Sequence, residues 1–295
     1  MKLTPKSKVL IQGMTTSVAS THVARMKAYG TNIVAVVSPG EGGQTMEDLP
    51  VFNLVEQAIA SVGTVDNTII FVSPYQALDA ALEAIAAGIG QIVIISAGVP
   101  PLDMVQLLRK AEATETLIVG PNSPGIIVPG KILLGTHASE FYTPGVVGIV
   151  SRSTTLTYEI ALELTESGLG QSISVSIGSD AITGSSFRQW LQILDEDEKT
   201  QAIVLIGEPG GNSEEAAARY IAETIDKPVI AYIAGKQAPP GKHWGHTGTL
   251  AAVVGRGDNV GTATSKVEAF EAAKVPIADR PSQIPGLVKK ALKKG

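Results

Sequence analysis

An imidazole is the side chain best suited, near neutral pH, to accept a phosphoryl group or a proton, and the chain holds four of them, His22, His137, His243 and His246. His246 is distinguished by its setting in Gly245-His246-Thr247-Gly248, where small neighbours leave the ring accessible as a nucleophile toward phosphorus. Such a ring needs a carboxylate to hold its tautomer. Glu208, in Gly207-Glu208-Pro209-Gly210-Gly211, is one carboxylate among glycines at a predicted strand end. The sequence alone does not bring it to His246, and a solvated glutamate fits the same pattern. His22 falls on a predicted helix, His137 in a linker region and His243 in a loop flanked by lysine and proline, so structural or solvent-exposed roles suit all three.

Four further loops have compositions that fit an anion or a close backbone approach. Gly13-Met14-Thr15-Thr16-Ser17-Val18-Ala19 opens a helix with hydroxyls, yet lacks the later glycines of a dinucleotide fingerprint; an ordinary strand-to-helix turn is the simpler reading. Pro39-Gly40-Glu41-Gly42-Gly43-Gln44 has three glycines and is either a ligand loop or a plain flexible one. Gly120-Pro121-Asn122-Ser123-Pro124-Gly125 has a stiff backbone that suits a binding loop or a hinge. Ser151-Arg152-Ser153-Thr154-Thr155 starts a helix, where a phosphoryl group is well stabilised and where a Ser or Thr N-cap is the simpler reading. No HExxH, spaced His/Cys set or acidic EF-hand loop predicts a metal site, and no Walker motif predicts a nucleotide site.

These loops must be positioned by the elements between them. Short β-branched runs alternate with longer helical patterns, the mark of parallel strands joined by crossover helices. Strands are predicted over Val9–Gln12, Ile33–Val37, Thr68–Val72, Gln91–Ile95 and Thr116–Val119, with helices over Val23–Tyr29, Leu54–Val62, Ala77–Ala87 and Met104–Ala113. The pattern lapses in the Gly- and Pro-rich segment Gly120–Gly145, where the domain boundary is expected. It restarts with strands over Val146–Val150, Ile173–Ile177, Ala202–Ile206, Val229–Ile233 and Val275–Ala278. Helices are predicted over Leu156–Ser167, Phe187–Leu194, Glu214–Ile225 and Thr262–Ala273, and a lysine-rich surface helix follows Pro281. The fold class is therefore α/β, with a Rossmann-like first domain over residues 1–125 and a second open parallel sheet over 126–295.

Length and composition agree with two such domains: 295 residues, 44% hydrophobic, 17% charged and 4% aromatic. A formal charge of −5 gives no basic footprint for nucleic acid or an anionic membrane. Cysteine is absent, which excludes disulfides and thiolate chemistry and fits a reducing, cytoplasmic setting. The polar start and the lack of a run of about 18 apolar residues point to a soluble protein.

Taken in order, the loops resemble one family. Lys8-Val9-Leu10-Ile11-Gln12-Gly13, Pro39 to Gln44, Leu49-Pro50-Val51-Phe52-Asn53, Gly120 to Gly125, Val150-Ser151-Arg152-Ser153, Leu156-Thr157-Tyr158-Glu159, Ile206-Gly207-Glu208, Tyr232-Ile233-Ala234-Gly235 and Gly245-His246-Thr247-Gly248 together resemble the α subunit of succinyl-CoA synthetase, or succinate–CoA ligase. The resemblance implies a Rossmann-like coenzyme A domain, then a flavodoxin-like domain with a phosphohistidine. It also implies a β subunit of ATP-grasp fold that binds ATP or GTP with Mg²⁺, in a heterodimer or heterotetramer. The implied reaction makes succinyl-CoA reversibly from succinate and CoA. By position, His246 would carry the phosphoryl group, Glu208 would orient it, Ser153, Thr154 and Thr155 would form the stabilising helix start, and Tyr158 would lie at the substrate site. Coenzyme A contacts would map to Thr15, Thr16, Ser17, Val18, Glu41, Ile95, Ser96, Ala97, Asn122 and Pro124.

Some positions depart from the family pattern. Thr16, Ala19 and Thr154 stand where it has glycine, Gly178-Ser179-Asp180-Ala181 replaces a Gly-Gly-Asp-Pro run, and Ala97 stands where it has glutamate. Glu41 stands where it has a CoA-contacting lysine, a charge reversal worth on the order of one to a few kcal/mol against a phosphate. Two alternatives therefore stand beside the succinate ligase: a relative acting on malate, citrate or acetate, and a non-catalytic CoA-binding regulatory homologue.

Overall fold

A computed structural model of the chain describes residues 3–14, 17–237 and 261–293. It divides into two units, the first comprising Met1–His137 with Ile182–Gly184 and the second Ala138–Ala181 with Ser185–Gly295.

The first unit is built on β1 (Val9–Gln12), α1 (Ser17–Tyr29), β2 (Ile33–Val37), β3 (Thr45–Met46), β4 (Leu49–Phe52), α2 (Val55–Val62), β5 (Asn67–Ile70), α3 (Ala77–Ala86), β6 (Gln91–Ile94), α4 (Pro101–Ala113) and β7 (Leu117–Val119). The hairpin strands β8 (Gly125–Val128) and β9 (Ile132–Gly135) follow. Strands β1, β5 and β6 are buried at every residue, as strands covered by helices on both faces must be, which is why they read as mainly apolar runs with polar residues only toward one end. The sheet order is β3-β4-β2-β1-β5-β6-β7, parallel except for the short β3. Leaving β3 aside, this is the 3-2-1-4-5-6 order of dinucleotide-binding sheets, whose connections reverse direction between β1 and β5.

One strand is not among those expected, and one segment expected to be irregular is structured. Leu49–Phe52 is a strand, β4, although Pro50 argues against one; Pro50 points outward and the strand pairs in parallel with β2 through Val51 and Phe52. Gly120–Gly145 is not a lapse in structure either, since it contains the antiparallel β8–β9 pair with Ile126 opposite Leu134. That hairpin docks on α1: Thr31 Oγ1 donates to the Leu133 carbonyl at 2.8 Å, and the Gly130 N–H donates to the Tyr29 hydroxyl at 2.8 Å.

The second unit contains β10 (Pro144–Ser151), α5 (Thr155–Glu166), β11 (Gln171–Ser176), α6 (Phe187–Glu196), β12 (Ala202–Gly207), α7 (Ser213–Thr224), β13 (Val229–Ile233), α8 (Ala263–Ala272), β14 (Ile277–Ala278) and α9 (Ile284–Leu292). Its own strands run β14-β13-β12-β10-β11, all parallel. Numbered from β10, that is the 2-1-3-4-5 order of flavodoxin-like sheets, with its switch point between β10 and β12. Local signals agree with the packing. A reciprocal capping box between Ser186 and Gln189 starts α6, and that helix buries Phe187, Trp190, Leu191 and Leu194 along one face. Lys289 and Lys290 are exposed on α9, whose Ile284 and Val288 are buried, as expected of a solvated lysine face.

Candidate functional site

In an open parallel sheet, ligands gather beyond the carboxyl ends of the strands at the switch point, where helix N-termini present free N–H groups. In the first unit that point lies between Gln12 and Ile70, the last residues of β1 and β5. A cavity of about 220 Å³ opens there, lined by Gln12, Val37, Pro39, Val72, Gln76, Asp79, Ala80 and Glu83. Gly13 makes the floor possible: its φ is +84°, and an added Cβ would lie 2.8 Å from the Val72 backbone nitrogen. Gln12, Gln76, Asp79 and Glu83 are not among the sequence candidates. Gln12 alone carries a signal, a polar residue closing a buried apolar strand.

The loops predicted to hold ligand are organised individually. In the 39–44 loop, Gly40 and Gly42 donate their N–H groups to Asn53 Oδ1 at 2.8 and 3.0 Å, so one side chain shapes the turn. Glu41 is half-buried and its Oε2 accepts from Ser38 Oγ at 2.6 Å. Ile95 and Ser96 are half-buried and Ala97 is exposed. Ser96 Oγ donates to the Val72 carbonyl, and the Ser96 carbonyl accepts from the Asn122 N–H at 2.8 Å. Ser96 thereby joins the 95–97 turn to the 120–125 loop, in which Asn122 is half-buried and Pro124 buried. Val18, on α1, is 62% exposed. Thr15 and Thr16 lie outside the described residues, and Ser17 is the first residue of α1.

His137, expected from sequence to be structural or solvent-exposed, is fully buried and its Nε2 donates to the Gly125 carbonyl at 3.0 Å. Burial lowers its pKa to about 4, against a smaller opposing effect of that hydrogen bond, so the ring is neutral at pH 7. His22 stacks on Phe71 with ring centroids 6.5 Å apart; burial first and Arg25 second hold it below its ordinary pKa.

The second unit's switch point brings two predicted segments to adjacent strand ends. Ser151 ends β10 and pairs in register with Ile206 of β12, so the 151–155 turn and the 207–213 loop lie side by side. Ser153 is buried; its Oγ accepts from the Leu156 N–H at 3.4 Å and so provides the cap expected at this helix start. Thr154 occupies the N-cap position of α5 without a side-chain cap bond and is half-buried, whereas Thr155 is exposed. Tyr158, also half-buried, lies one turn along α5 with its ring tilted against Phe141.

Glu208 is gripped by its backbone. Its N–H donates to Glu214 Oε1 at 3.1 Å, and its carbonyl accepts from Arg152 Nη1 at 3.3 Å. The carboxylate itself accepts no hydrogen bond from the described residues, and Glu208 is half-buried. His246, its expected partner, lies outside the described residues, as does His243.

Beneath this loop is a charge cluster in which Arg152 belongs to the 151–155 motif, whereas no sequence motif marks the roles of Glu214 and Lys266. Arg152 is 2% exposed, and Glu214 and Lys266 have no exposed surface. Arg152 Nη1 meets Glu214 Oε1 at 2.8 Å and the Gly210 carbonyl at 3.0 Å. Lys266 Nζ meets Glu214 Oε2 at 2.6 Å, Glu215 Oε2 at 3.0 Å and the Gly211 carbonyl at 2.9 Å. Burial pushes the Glu214 carboxyl toward its neutral form, but Arg152 and Lys266 together outweigh it and hold the pKa below the ordinary carboxylate value. The carboxylate also sits in the first turn of α7, where the helix dipole favours a negative charge. The partners are 52 and 62 residues from Glu214 in sequence, so no local pattern announces them.

Near the end of β13, burial and then the Glu159 carboxylate raise the pKa of Tyr232. Among the described residues no group of three acidic or imidazole side chains could hold a metal ion, and no helix is long and apolar enough to cross a membrane.

Comparison with known proteins finds two families in succession along the chain. Residues 4–98 match the CoA binding domain family and residues 150–275 the CoA-ligase family. The chain is 44% identical over 289 residues to the succinate–CoA ligase [ADP-forming] subunit alpha of Aquifex aeolicus, covering 97% of this chain and 93% of that one. It is 42% identical over 278 residues to the corresponding subunit of Staphylococcus epidermidis, covering 94% and 90%. Among solved structures, ATP citrate lyase from Methanothrix soehngenii in complex with citrate and coenzyme A aligns with a TM-score of 0.88 at 21% identity. That alignment covers all of this chain and 51% of the other, a likeness of fold. With two matched domains in order and identity above two-fifths along nearly its whole length, the chain belongs to the succinate–CoA ligase α-subunit family.

Proposed function

We propose that the chain, with a partner β subunit of ATP-grasp fold, forms succinyl-CoA from succinate and coenzyme A with cleavage of ATP or GTP to the diphosphate and phosphate, and that His246 is the phosphoryl carrier. Mg²⁺ and nucleotide would be bound by the partner. The first unit would hold coenzyme A at the β1/β5 crevice through residues 15–18, Glu41, 95–97, Asn122 and Pro124. The absence of cysteine supports a cytoplasmic setting.

The observation that carries the reading is the juxtaposition at the β10/β12 switch point of the α5 start with a loop that leaves the Glu208 carboxylate clear of hydrogen bonds from the described residues. The nucleotide's γ-phosphoryl passes to an imidazole nitrogen of His246, breaking the P–O bond to the diphosphate. A succinate carboxylate oxygen then attacks phosphorus, forming an acyl phosphate and freeing the imidazole. The coenzyme A thiol, losing its proton, attacks the acyl carbon and releases phosphate. In this scheme Glu208 holds the imidazole tautomer, and the N–H groups at the start of α5, with Ser153, Thr154 and Thr155, stabilise the phosphoryl charge. Tyr158 would border the acid.

The test is reconstitution with the β subunit and γ-labelled ATP or GTP. Acid-labile label on the wild type that disappears in His246→Asn is expected, with CoA-dependent diphosphate release on addition of succinate. Absence of label from wild type defeats the phosphohistidine scheme. Faster turnover with malate, citrate or acetate than with succinate would reassign the acid.

A further inference from the structure

We propose that Arg152 is a positioning residue for phosphoryl transfer, holding Glu208 at a fixed place relative to the start of α5; this rests on the role given to Glu208 above. Arg152 lies in the turn between β10 and α5, so whatever it grips is fixed relative to that helix start. It grips β12, the loop that follows and the first turn of α7. Its backbone N–H donates to the Ile206 carbonyl at 3.1 Å, and its Nη1 reaches the carbonyls of Glu208 and Gly210 and the Glu214 carboxylate.

Glu214 completes the grip from the other side. Its Oε1 accepts both Arg152 Nη1, at 2.8 Å, and the Glu208 N–H, at 3.1 Å. Both backbone polar groups of Glu208 are therefore committed to one buried ion pair, while its carboxylate is left clear. Lys266 secures the far end of the loop at Gly211 and shares the charge of Glu214.

A role in packing alone accounts poorly for one further fact. Arg152 Nη2 is buried without a hydrogen-bond partner among the described residues, a costly arrangement that a simple structural ion pair would avoid. The guanidinium is oriented to bring one nitrogen to two carbonyls and a carboxylate at once, which a lysine ammonium at that position cannot reproduce in the same fixed geometry. Among the described residues that Arg152 holds, Glu208 is the one with a role in the proposed scheme, so its effect is assigned through Glu208.

The experiment uses the reconstituted complex and compares Arg152→Lys, Glu208→Gln and the double variant. Arg152→Lys is expected to slow phosphorylation of His246 about 10- to 100-fold, the scale of a misplacement near 1 Å, with KM for coenzyme A within about twofold of wild type. In the Glu208→Gln background the same substitution should cost less than about threefold, because its route of action is already gone. Phosphorylation at the wild-type rate in Arg152→Lys, or losses that multiply in the double variant, would overturn the assignment. Should Arg152→Lys fail to fold, the charge-balanced pair Arg152→Gln with Glu214→Gln takes its place: slowed phosphorylation that Glu208→Gln abolishes supports the assignment, and a wild-type rate overturns it. Failure of the underlying reading looks different: wild type takes no label, or Glu208→Gln alone labels at full speed.

Discussion

Glu214 and His137 are both fully enclosed, and their surroundings settle their charges in opposite ways. Glu214 stays ionised because two cations and a backbone N–H surround it. His137 stays neutral because burial opposes a charge on the ring, and the Gly125 carbonyl that its Nε2–H serves is satisfied without one. The pH consequence of the histidine follows directly. An unfolded chain protonates this ring near pH 6.5, whereas the folded protein resists protonation down to about 4. The stability it contributes is complete above pH 6.5 and is lost as pH falls from 6.5 toward 4, by on the order of 3 kcal/mol. Urea unfolding of wild type and His137→Gln at pH 7 and pH 4.5 measures this. The variant should lose less stability than wild type over that interval; equal losses would show that the ring is not protected. His137 is legible in the sequence only as one of four histidines, because its burial depends on a hairpin whose glycines and prolines read as irregular linker.

At the scale of elements, the strands that read clearly are those buried on both faces. Val9–Gln12, Ile33–Val37 and Val229–Ile233 coincide with the predicted runs because helices cover both faces and leave no polar alternation to interpret. What the sequence hides are short strands carrying turn residues. β4 contains Pro50, and the β8–β9 pair is bounded by Gly125 and Gly135, residues that usually punctuate rather than extend. Gly125 is required for that hairpin to close. Its φ is +91°, and an added Cβ would sit 1.9 Å from the Leu134 carbonyl oxygen, a backbone atom that cannot swing aside. Gly125→Ala should therefore cost at least about 2 kcal/mol in unfolding free energy, more than the strain of a left-handed residue alone. Thermal and urea unfolding check it, and a loss below about 0.5 kcal/mol would mean that the hairpin adjusts freely.

For the molecule as a whole, the α/β alternation and two open sheets are readable in order along the chain, and the ordered loops carry the family resemblance that implies the flavodoxin-like form of the second. The means of holding the second switch point is not readable. Arg152, Glu214 and Lys266 belong to three segments separated by dozens of residues, and no motif marks Glu214 or Lys266 where it stands, so only the folded sheet brings them together. The proposed division of labour between subunits gives a test at this scale. The isolated chain mixed with Mg²⁺ and labelled ATP or GTP should gain no acid-labile phosphate within an hour, and adding the β subunit should restore labelling. Labelling by the chain alone would place a nucleotide site within it and end the case for a partner as the nucleotide carrier.

The charge cluster below the Glu208 loop faces inward, whereas Thr154, Thr155 and Tyr158 at the start of α5 keep some exposure. In the proposed scheme, then, the side chains that hold the loop are not the ones that face the reacting groups. If Tyr158 borders the acid as proposed, substitution there would change which acid is welcomed while the inner frame keeps its shape, so one scaffold would serve a succession of related acids without first becoming unstable.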